Sequence, residues 1–177
     1  MRLLPEEIVL GEFVLRRWSV EQAGLLRTAV AESFDHLHPW MPWAARPPVL
    51  SEQVDYLTRC VVQWESGTTF AYGVFDLGAT AVLGAVSLMD RIGPGGWEIG
   101  YWVHADWTGR GIVTEASAAL TQAAFKLLGA QRVEIHCDEA NTASWAVPQR
   151  LGFRLDRIDT LEPEAPAETG HMMIWIK

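Results

Sequence analysis

The sequence contains little cysteine and no long apolar run. Its 177 residues include two cysteines, Cys60 and Cys137, which are too few for a disulfide framework and lie in no cluster with metal-ligand spacing. No run of about eighteen apolar residues is present, so no transmembrane helix is predicted. Residues 1–7 lack the apolar stretch of a signal peptide. These absences predict a cytoplasmic protein with no metal, in which Cys137 is a small apolar residue on a strand.

Basic residues are scarcer than acidic ones. The sequence has 14 Lys and Arg against 22 Asp and Glu, a formal net charge of −8. Nucleic-acid affinity rests on cationic side chains that neutralise phosphates, so no nucleic-acid partner is expected. The acidic balance favours a cationic substrate, such as an amine or a basic peptide N-terminus, although it also suits solubility alone. The length and an apolar content of 49% predict one globular domain over residues 1–177.

The most informative stretch predicts a strand, a glycine-containing turn and a helix. Residues 97–103 are aromatic and β-branched and follow a Pro-Gly-Gly turn, and from 112 to 128 the apolar residues recur at helical spacing. Gly109 and Gly111 lie in the turn before the helix, whose first N–H groups are unpaired and sit at the positive end of the dipole. This predicts a phosphate cradle, with an ordinary strand-to-helix turn as the alternative. The glycines fit neither a dinucleotide fingerprint nor a P-loop.

Apolar periodicity and turn residues predict a mixed α/β sheet with helices on both faces. The predicted strands cover residues 13–18, 69–77, 82–90, 97–103, 132–138, 153–161 and 171–176. The predicted helices cover residues 20–34, 51–66, 112–128 and 144–151, with Ser19 and Ser51 as the caps of the first two. The strand–helix–strand order makes 132–138 parallel to 97–103 through a right-handed crossover. Residues 36–48 are predicted to form an aromatic, proline-rich loop, and residues 162–168 a mobile acidic loop.

Several segments, in order along the chain, resemble the GNAT N-acetyltransferases. They are Glu-Ile-Gly-Tyr-Trp-Val at 98–103, Trp-Thr-Gly-Arg-Gly-Ile-Val-Thr-Glu-Ala at 107–116, Asn-Thr-Ala-Ser at 141–144 and Arg-Leu-Gly-Phe at 150–153. Two earlier segments are similar to the RimJ/RimL-like branch, the ribosomal-protein N-terminal acetyltransferases: Val-Leu-Arg-Arg-Trp at 14–18 and Pro-Trp-Met-Pro-Trp at 39–43. The resemblance covers nearly the whole chain. It implies the acyl-CoA N-acyltransferase fold, a largely antiparallel sheet whose central parallel strand pair splays apart at the cofactor cleft.

The resemblance implies an enzyme that moves an acetyl group from acetyl-CoA to a primary amine by direct attack in a ternary complex. The resemblance does not distinguish between a protein N-terminus and a small-molecule amine as the acceptor. One alternative is a non-catalytic CoA-binding sensor or scaffold. Another is the same enzyme class with a longer donor, such as succinyl-CoA. A homodimer is expected by the same resemblance.

By resemblance, the donor-binding residues come from the strand end, the glycine turn and the following helix starts. The backbone of 109–113 would bind the pyrophosphate, together with the Thr114 hydroxyl, and the backbone of 101–103 would pair with the pantetheine amides. The chain departs from the family pattern at Asp106, where Gln or Arg is usual, and at Pro148, where many relatives carry a tyrosine general acid. The expected donor-binding residues are Tyr101, Trp102, Val103, Thr108, Gly109, Arg110, Gly111, Ile112, Val113, Thr114, Asn141 and Ser144.

Acyl transfer to an amine requires an oxyanion donor, a base and a proton donor for the departing thiolate. The Val103 N–H is the expected oxyanion donor, and Glu98 is the expected base. Ser144 is the expected donor to the thiolate, because Pro148 replaces the tyrosine. Each residue also has a structural alternative: a salt-bridged strand position for Glu98, a first-turn serine for Ser144 and a helix cap for Asn141.

The remaining candidates surround this site in sequence. His136 and Asp138 are weaker candidates for the base, since a lone His on an apolar strand is more often structural. His36 and His38 precede the aromatic loop and are candidates for substrate contact. Three loop residues are expected on the acceptor side of the pocket, with a plug over the helix pair as the alternative; they are Trp40, Met41 and Trp43.

Overall fold

The computed structural model describes residues 4–177. No signal-peptide stretch was predicted in residues 1–7, and the first three of these lie outside the described residues. The centre of the structure is an eight-stranded sheet of order β1-β2-β3-β4-β5-β6-β8-β7. The strands are β1 (Glu7–Leu10), β2 (Phe13–Arg17), β3 (Thr69–Asp76), β4 (Val82–Met89), β5 (Gly96–Val103), β6 (Arg132–Asp138), β7 (Arg154–Thr160) and β8 (His171–Ile176). The helices are α1 (Ala23–Glu32), α2 (Phe34–Leu37), α3 (Leu50–Ser66), α4 (Ile112–Ala123) and α5 (Thr142–Arg150).

The structure corrects the prediction at four places near the N-terminus. β1 was missed, because its four residues form a short hairpin with β2. The helix predicted over 20–34 is a 3₁₀ turn followed by α1, and α2 then extends to Leu37. Ser51 does not cap α3, which begins after Val49. The predicted loop at 36–48 contains one further 3₁₀ turn, Pro42–Ala44.

Alternating side chains divide the core between the two faces of the sheet. On β2, Val14 packs with α1 and α3, whereas Phe13 and Leu15 pack with α4 on the opposite face. In α4, Ile112, Ala116 and Leu120 are buried at helical spacing, as predicted, and Gly129 ends the helical segment at φ +72°. Within residues 4–177, no helix combines the length and the apolar character that crossing a membrane requires.

β5 and β6 form the parallel pair of an otherwise antiparallel sheet, which confirms the predicted fold class. β5 pairs with β4 from Glu98 to Val103, but with β6 only from Gly96 to Ile99. Beyond Ile135, β6 continues to pair with β8 as far as Asp138. The two strands therefore separate after Ile99, and a gap opens between their carboxyl ends.

The acidic segment between β7 and β8 is held by hydrogen bonds, contrary to the mobile loop that was predicted. Asp138 accepts the N–H groups of Thr169 and Gly170, at 2.9 and 3.0 Å. Ala165 is buried, and the Ala167 N–H donates to the Pro39 carbonyl at 2.9 Å. The contact with Pro39 places this segment beside the aromatic loop, over the same end of the sheet.

Candidate functional site

Beyond Ile99, the edge of β5 that faces β6 carries backbone donors with no strand opposite them. The His104 N–H donates to the Leu83 carbonyl of β4 at 2.8 Å. N–H groups alternate in direction along a strand, so those of Tyr101 and Val103 point away from β4 and into the gap. The structure thus places two of the expected donors on the open edge of β5.

The same alternation corrects the expectation for the Trp102 backbone. Its N–H and carbonyl face β4, where a Cβ added to Gly84 would lie 2.4 Å from the Trp102 carbonyl oxygen. These groups belong to the closed ladder and cannot pair with a ligand in the gap. The Trp102 indole packs on the α1 and α3 face, with its ring centroid 6.1 Å from that of Trp43. The Trp102 side chain therefore lies on the α1 and α3 face of the sheet, while its backbone is taken up by β4.

The start of α4 presents a run of unpaired amides. Within residues 4–177, no protein acceptor takes a hydrogen bond from the N–H groups of residues 108–114, whereas the Glu115 N–H donates to the Gly111 carbonyl at 2.9 Å. Gly109 and Gly111 have φ of +72° and +75°, and no described atom lies within 4 Å of a Cβ built on either. Free N–H groups at the positive end of a helix form an anion site, so the geometry agrees with the predicted phosphate cradle.

The side chains of this loop fold back onto the loop itself. The Arg110 guanidinium lies 4.3 Å from the centre of the Trp107 ring and donates to the Asp106 carbonyl at 3.3 Å. The Asp106 side chain is exposed, and the Thr108 hydroxyl donates to the Ala105 carbonyl at 3.2 Å. The Arg110 guanidinium thus lies over Trp107 and beside the backbone of Asp106, the position at which the family pattern usually has Gln or Arg.

Across the gap, Asn141 and Ser144 begin α5. The Asn141 side-chain oxygen accepts the Ser144 N–H at 3.2 Å, so Asn141 is a helix cap, and its amide NH2 faces away from that bond. The Tyr101 hydroxyl donates to the Ser144 carbonyl at 2.8 Å, and the Ser144 hydroxyl lies 3.4 Å from the Tyr101 oxygen. Burial raises the pKa of Tyr101, an effect that its hydrogen bond with Ser144 opposes and Cys137 augments. Tyr101 is therefore a neutral donor that joins β5 to α5.

Cys137 lies on β6 beside this group and is buried. Burial raises the pKa of Cys137 to about 12, and the charge of the neighbouring Asp138 acts in the same direction. A thiol with so high a pKa is not a nucleophile near neutral pH. Its environment agrees with the predicted role as a small apolar residue.

Glu98 is buried in a chain of charged side chains on the α1 and α3 face. The Arg91 guanidinium binds its carboxylate through two nitrogens, and the His136 Nδ1 lies 3.7 Å from Glu98 Oε2. The His136 Nε2 is 2.6 Å from Glu134 Oε2, and Arg132 donates to the other oxygen of Glu134 at 2.7 Å. Burial acts to raise the pKa of Glu134, but the hydrogen bonds from Arg132 and His136 hold it below its ordinary value.

This arrangement contains groups that sequence reasoning missed. Arg91 and Glu134 were not candidates, although the alternation Glu134-Ile135-His136 on a strand already places the two polar residues on one face. His136 is the first residue of β6 past the last pair with β5, and its side chain is 22% exposed. The His136 side chain is thus more accessible than that of Glu98, the other candidate base in this group.

Asp138, the other weak candidate, is structural. Its carboxylate accepts the N–H groups of Ala140, Thr169 and Gly170 and the Thr169 hydroxyl. Burial acts to raise the pKa of Asp138, but these hydrogen bonds hold it below its ordinary value of 3.8. A carboxylate so occupied holds the segment between β7 and β8 and has little capacity to act as a base.

The aromatic loop reaches the site through Trp43. Trp43 is 53% exposed and packs beside Trp102, whereas Met41 packs into the core with α1 and α3 and Trp40 is half-buried. Gly100 stands between Glu98 and Trp102 on the same face of β5. Gly100 has no side chain, and the Met89 methyl group lies 3.0 Å from the place where its Cβ would stand, so only a narrow space separates the charged groups from the indoles.

Two histidines hold the surrounding loops in place. The buried His104 accepts the Asp106 N–H at Nδ1, and its Nε2 lies 3.1 Å from the Glu32 carboxylate at the end of α1. His38 Nδ1 lies 2.9 Å from the Ala44 carbonyl, within the aromatic loop. The neighbouring His36 is mostly exposed. The part of its ring that is covered, together with the nearby His104, lowers the pKa of His36. His38 thus fastens the aromatic loop, and His104 fastens the loop that precedes α4.

The family follows from a comparison with known sequences. The profile described as "Acetyltransferase (GNAT) domain" matches residues 12–154, most of the chain. The chain therefore belongs to the GNAT acetyltransferase family, as the sequence motifs predicted, and it is an acyltransferase. No group of three or more His, Cys, Asp or Glu side chains placed to hold a metal ion occurs within residues 4–177.

Individual relatives agree with this assignment. Bacillus subtilis (strain 168) YdaF, named provisionally as a ribosomal N-acetyltransferase, is 45% identical over 56 residues, 32% of this chain and only 31% of YdaF. The microcin C7 self-immunity acetyltransferase MccE, solved with acetyl-CoA and AMP, has a TM-score of 0.87 over 99% of this chain and 98% of its own, at 24% identity. The ribosomal-protein-S5-alanine acetyltransferase of Vibrio fischeri has a TM-score of 0.85 over 97% and 95%, at 18% identity. The two solved structures share the fold with this chain, and the local match to YdaF supports the RimJ/RimL-like branch.

Proposed function

We propose that this enzyme acetylates a primary amine, with acetyl-CoA as the donor and direct attack in a ternary complex. The observation that carries the proposal is the run of unpaired amides at the start of α4, which follows the open edge of β5 along the chain. The helix start suits a diphosphate, and the strand edge suits an extended arm that contains amides. Acetyl-CoA has both groups, and MccE has been solved with it.

The Val103 N–H is the proposed oxyanion donor. It points into the gap from a strand that β4 holds on the other side. A donor fixed in this way needs no reorganisation when the thioester oxygen becomes negative, and such a donor is typically worth about 10²–10³-fold in rate. The Tyr101 N–H, two residues earlier on the same edge, is proposed to pair with the pantetheine arm.

The proposed base is His136 together with Glu98. Glu134 can only accept a hydrogen bond, so the proton of a neutral His136 lies on Nε2, and Nδ1 is left to take the proton of the incoming ammonium. Arg91 holds the Glu98 carboxylate through two nitrogens, so less of it is free to contact an incoming amine than sequence reasoning assumed. Glu98 at 3.7 Å then stabilises the imidazolium that forms.

The proposed acceptor site lies on the face of β5 between His136 and the indoles of Trp43 and Trp102, where the flexible Met89 side chain covers Gly100. Acidic residues of the segment between β7 and β8 lie over the same end of the sheet, because Ala167 contacts Pro39. Negative charge there favours a cationic amine. The relatives named as ribosomal acetyltransferases support a protein N-terminus as the first acceptor to test.

Release of free thiol from acetyl-CoA, measured with a panel of N-terminal peptides and small amines, tests the proposal. We expect turnover with at least one amine and an acetylated product by mass spectrometry. Succinyl-CoA in parallel reactions compares the donors. A stable acetyl adduct on the enzyme after incubation with acetyl-CoA alone would contradict direct attack. Calorimetric binding of CoA without turnover of any amine would favour the non-catalytic alternative.

Two variants and a matched control test the base. His136→Gln should lower kcat by about 10²-fold or more and remove the acid-side fall in rate that an imidazole base produces. Glu98→Gln should lower kcat less and keep that fall. His171→Gln is the matched control. The His171 Nδ1 also lies 2.6 Å from a carboxylate oxygen, that of Glu139, but this pair is exposed to solvent. If Glu98→Gln instead abolishes the acid limb while His136→Gln keeps it, Glu98 is the base.

A further inference from the structure

α5 contains a proline that leaves one of the helix's own carbonyls without its usual donor. Pro148 lies inside α5, four residues after Ser144, and it has no N–H. In a regular helix the N–H of that residue would donate to the Ser144 carbonyl, and the proline ring also crowds this carbonyl. Pro148 is buried, which limits the access of water to this carbonyl beside the proline ring.

Tyr101 supplies a donor to this carbonyl from the other side of the gap. Its hydroxyl donates to the Ser144 carbonyl at 2.8 Å, and the Ser144 hydroxyl lies 3.4 Å from the same oxygen. Tyr101 is on β5, beyond Ile99, where β5 and β6 have already separated. Its ring packs into the core on the α4 face, which fixes where the hydroxyl can reach. The bond therefore spans the cleft and joins its two walls.

We propose that Tyr101 is a positioning residue that replaces, at the Ser144 carbonyl, the helical hydrogen bond that Pro148 removes. The Ser144 hydroxyl is thereby held at a fixed place relative to the Val103 N–H, which is two residues from Tyr101 on the same strand. The inference rests on the proposed function for the role of Ser144 as the donor to the departing thiolate. In that step the amine forms the C–N bond as the C–S bond breaks. One proton of the ammonium goes to His136. A second proton of the same nitrogen reaches the CoA sulfur through the Ser144 hydroxyl, which gives one proton and takes up another.

The pair Tyr101 and Pro148 can be tested by a double-mutant cycle in the full chain. Tyr101→Phe removes the hydroxyl and should lower kcat by about 3–10-fold, with the KM for acetyl-CoA within about twofold, because the group it positions acts only in the transition state. Pro148→Ala restores an N–H for the Ser144 carbonyl. In that background Tyr101→Phe should lower kcat by less than about twofold. The Tm should follow the same pattern, with a fall of about 2–4 °C for Tyr101→Phe that shrinks when Pro148 is replaced.

Tyr72 provides the matched control. Tyr72 lies on β3, in register with Tyr101 but two strands away from β5, and its hydroxyl donates to the Pro5 carbonyl at 2.7 Å. Burial raises the pKa of Tyr72 as it does that of Tyr101. Tyr72→Phe should lower the Tm by a similar amount and leave kcat unchanged. Equal losses from Tyr101→Phe with and without Pro148 would overturn the inference, as would a Tyr101→Phe enzyme with full kcat. The Tm cycle needs no acceptor, so it decides the link even if no amine is turned over, and that failure would fall on the proposed function alone.

Discussion

The two edges of β5 use the same backbone in opposite ways. Toward β4, six residue pairs run from Glu98 to Val103, and the contact at Gly84 is too close for any larger side chain. Toward β6, pairing stops at Ile99. The closed edge fixes the strand, and the open edge therefore presents its N–H groups in fixed positions. A sheet that opens on one side of a strand only is a means of making donors that are both free and preorganised.

Removal of a donor from the open edge should have the largest effect. Val103→Pro deletes the N–H that points into the gap, and we expect kcat to fall by about 10²–10³-fold, because the oxyanion loses its donor. The fold should survive, since that N–H has no partner on β4. Steady-state kinetics and circular dichroism measure the two outcomes.

The neighbouring position and a milder substitution make this test specific. Val103→Ala shortens the side chain and keeps the N–H, so its kcat should stay near that of the wild type. Trp102→Pro removes an N–H from the closed edge and should lower the Tm steeply. If Val103→Pro and Val103→Ala have the same kcat, the open edge does not supply the oxyanion donor.

The glycine turn extends the comparison to the start of α4. Gly111→Val forces a β-branched residue into a positive φ and fills space next to the free amides, so the Kd for CoA should rise about tenfold or more. Calorimetry measures this Kd. Gly93 is the control, because its φ is +92°, no described atom lies within 4 Å of its added Cβ, and it lies in another turn. An unchanged Kd in Gly111→Val would remove the phosphate cradle.

Trp43 tests the acceptor side of the open strand. Trp43→Ala removes the indole beside Trp102 and should raise the KM for the acceptor about 3–10-fold, which is the order of one aromatic contact, while the KM for acetyl-CoA stays the same. Leu77→Ala truncates an equally exposed apolar residue, 55% exposed, on the hairpin after β3 and should change neither constant. A rise in the KM for acetyl-CoA instead would place Trp43 on the donor side.

Asp138 should affect stability far more than rate. Asp138→Asn loses hydrogen bonds to a charged acceptor, and the free energy of unfolding should fall by about 1.5–3 kcal/mol with kcat nearly unchanged. Because the folded state lowers the pKa of Asp138, its contribution is complete above the ordinary value of 3.8 and is lost as the pH falls through the folded pKa. The Tm difference between the wild type and Asp138→Asn should therefore be constant from about pH 7 to pH 5 and should narrow below about pH 4.

Asp76 is the natural control for that measurement. Burial acts to raise the pKa of Asp76, but hydrogen bonds from Ala81 and Thr80 together overcome it and hold this pKa below its ordinary value as well. Asp76 lies at the same end of the sheet as the gap but two strands away from β5, at the turn between β3 and β4. Asp76→Asn should show the same dependence of Tm on pH. If Asp138→Asn lowers kcat by about tenfold or more and Asp76→Asn does not, Asp138 also takes part in catalysis.

Most elements of the fold could be predicted because their signals are local. The bounds of β6 and β8 agree with the prediction, since β6 alternates polar and apolar residues, β8 is mostly apolar, and turn residues flank both. The break between α1 and α2 could not be predicted. It lies at Ser33, whose hydroxyl accepts the Ala105 N–H, a bond between residues 72 positions apart. Such a contact leaves no trace in local periodicity.

The candidate site divides in the same way. The glycine turn, the strand before it and Asn141 were found by motif, because backbone geometry there depends on the residue type itself. The partners of Glu98 were not found, since Arg91 comes from a hairpin and His136 from another strand. Pro148 was recognised as the loss of a tyrosine, but its link to Tyr101 was not.

By itself, the sequence determined the family, most of the strands and helices and the unpaired amides that begin α4, because periodicity, turn residues and helix ends act over a few positions. Only the tertiary structure decided which edge of β5 stays open, that Arg91 binds Glu98, and that Tyr101 donates to the carbonyl Pro148 leaves free. These outcomes depend on where one strand separates from another, and no local pattern of residues specifies that separation.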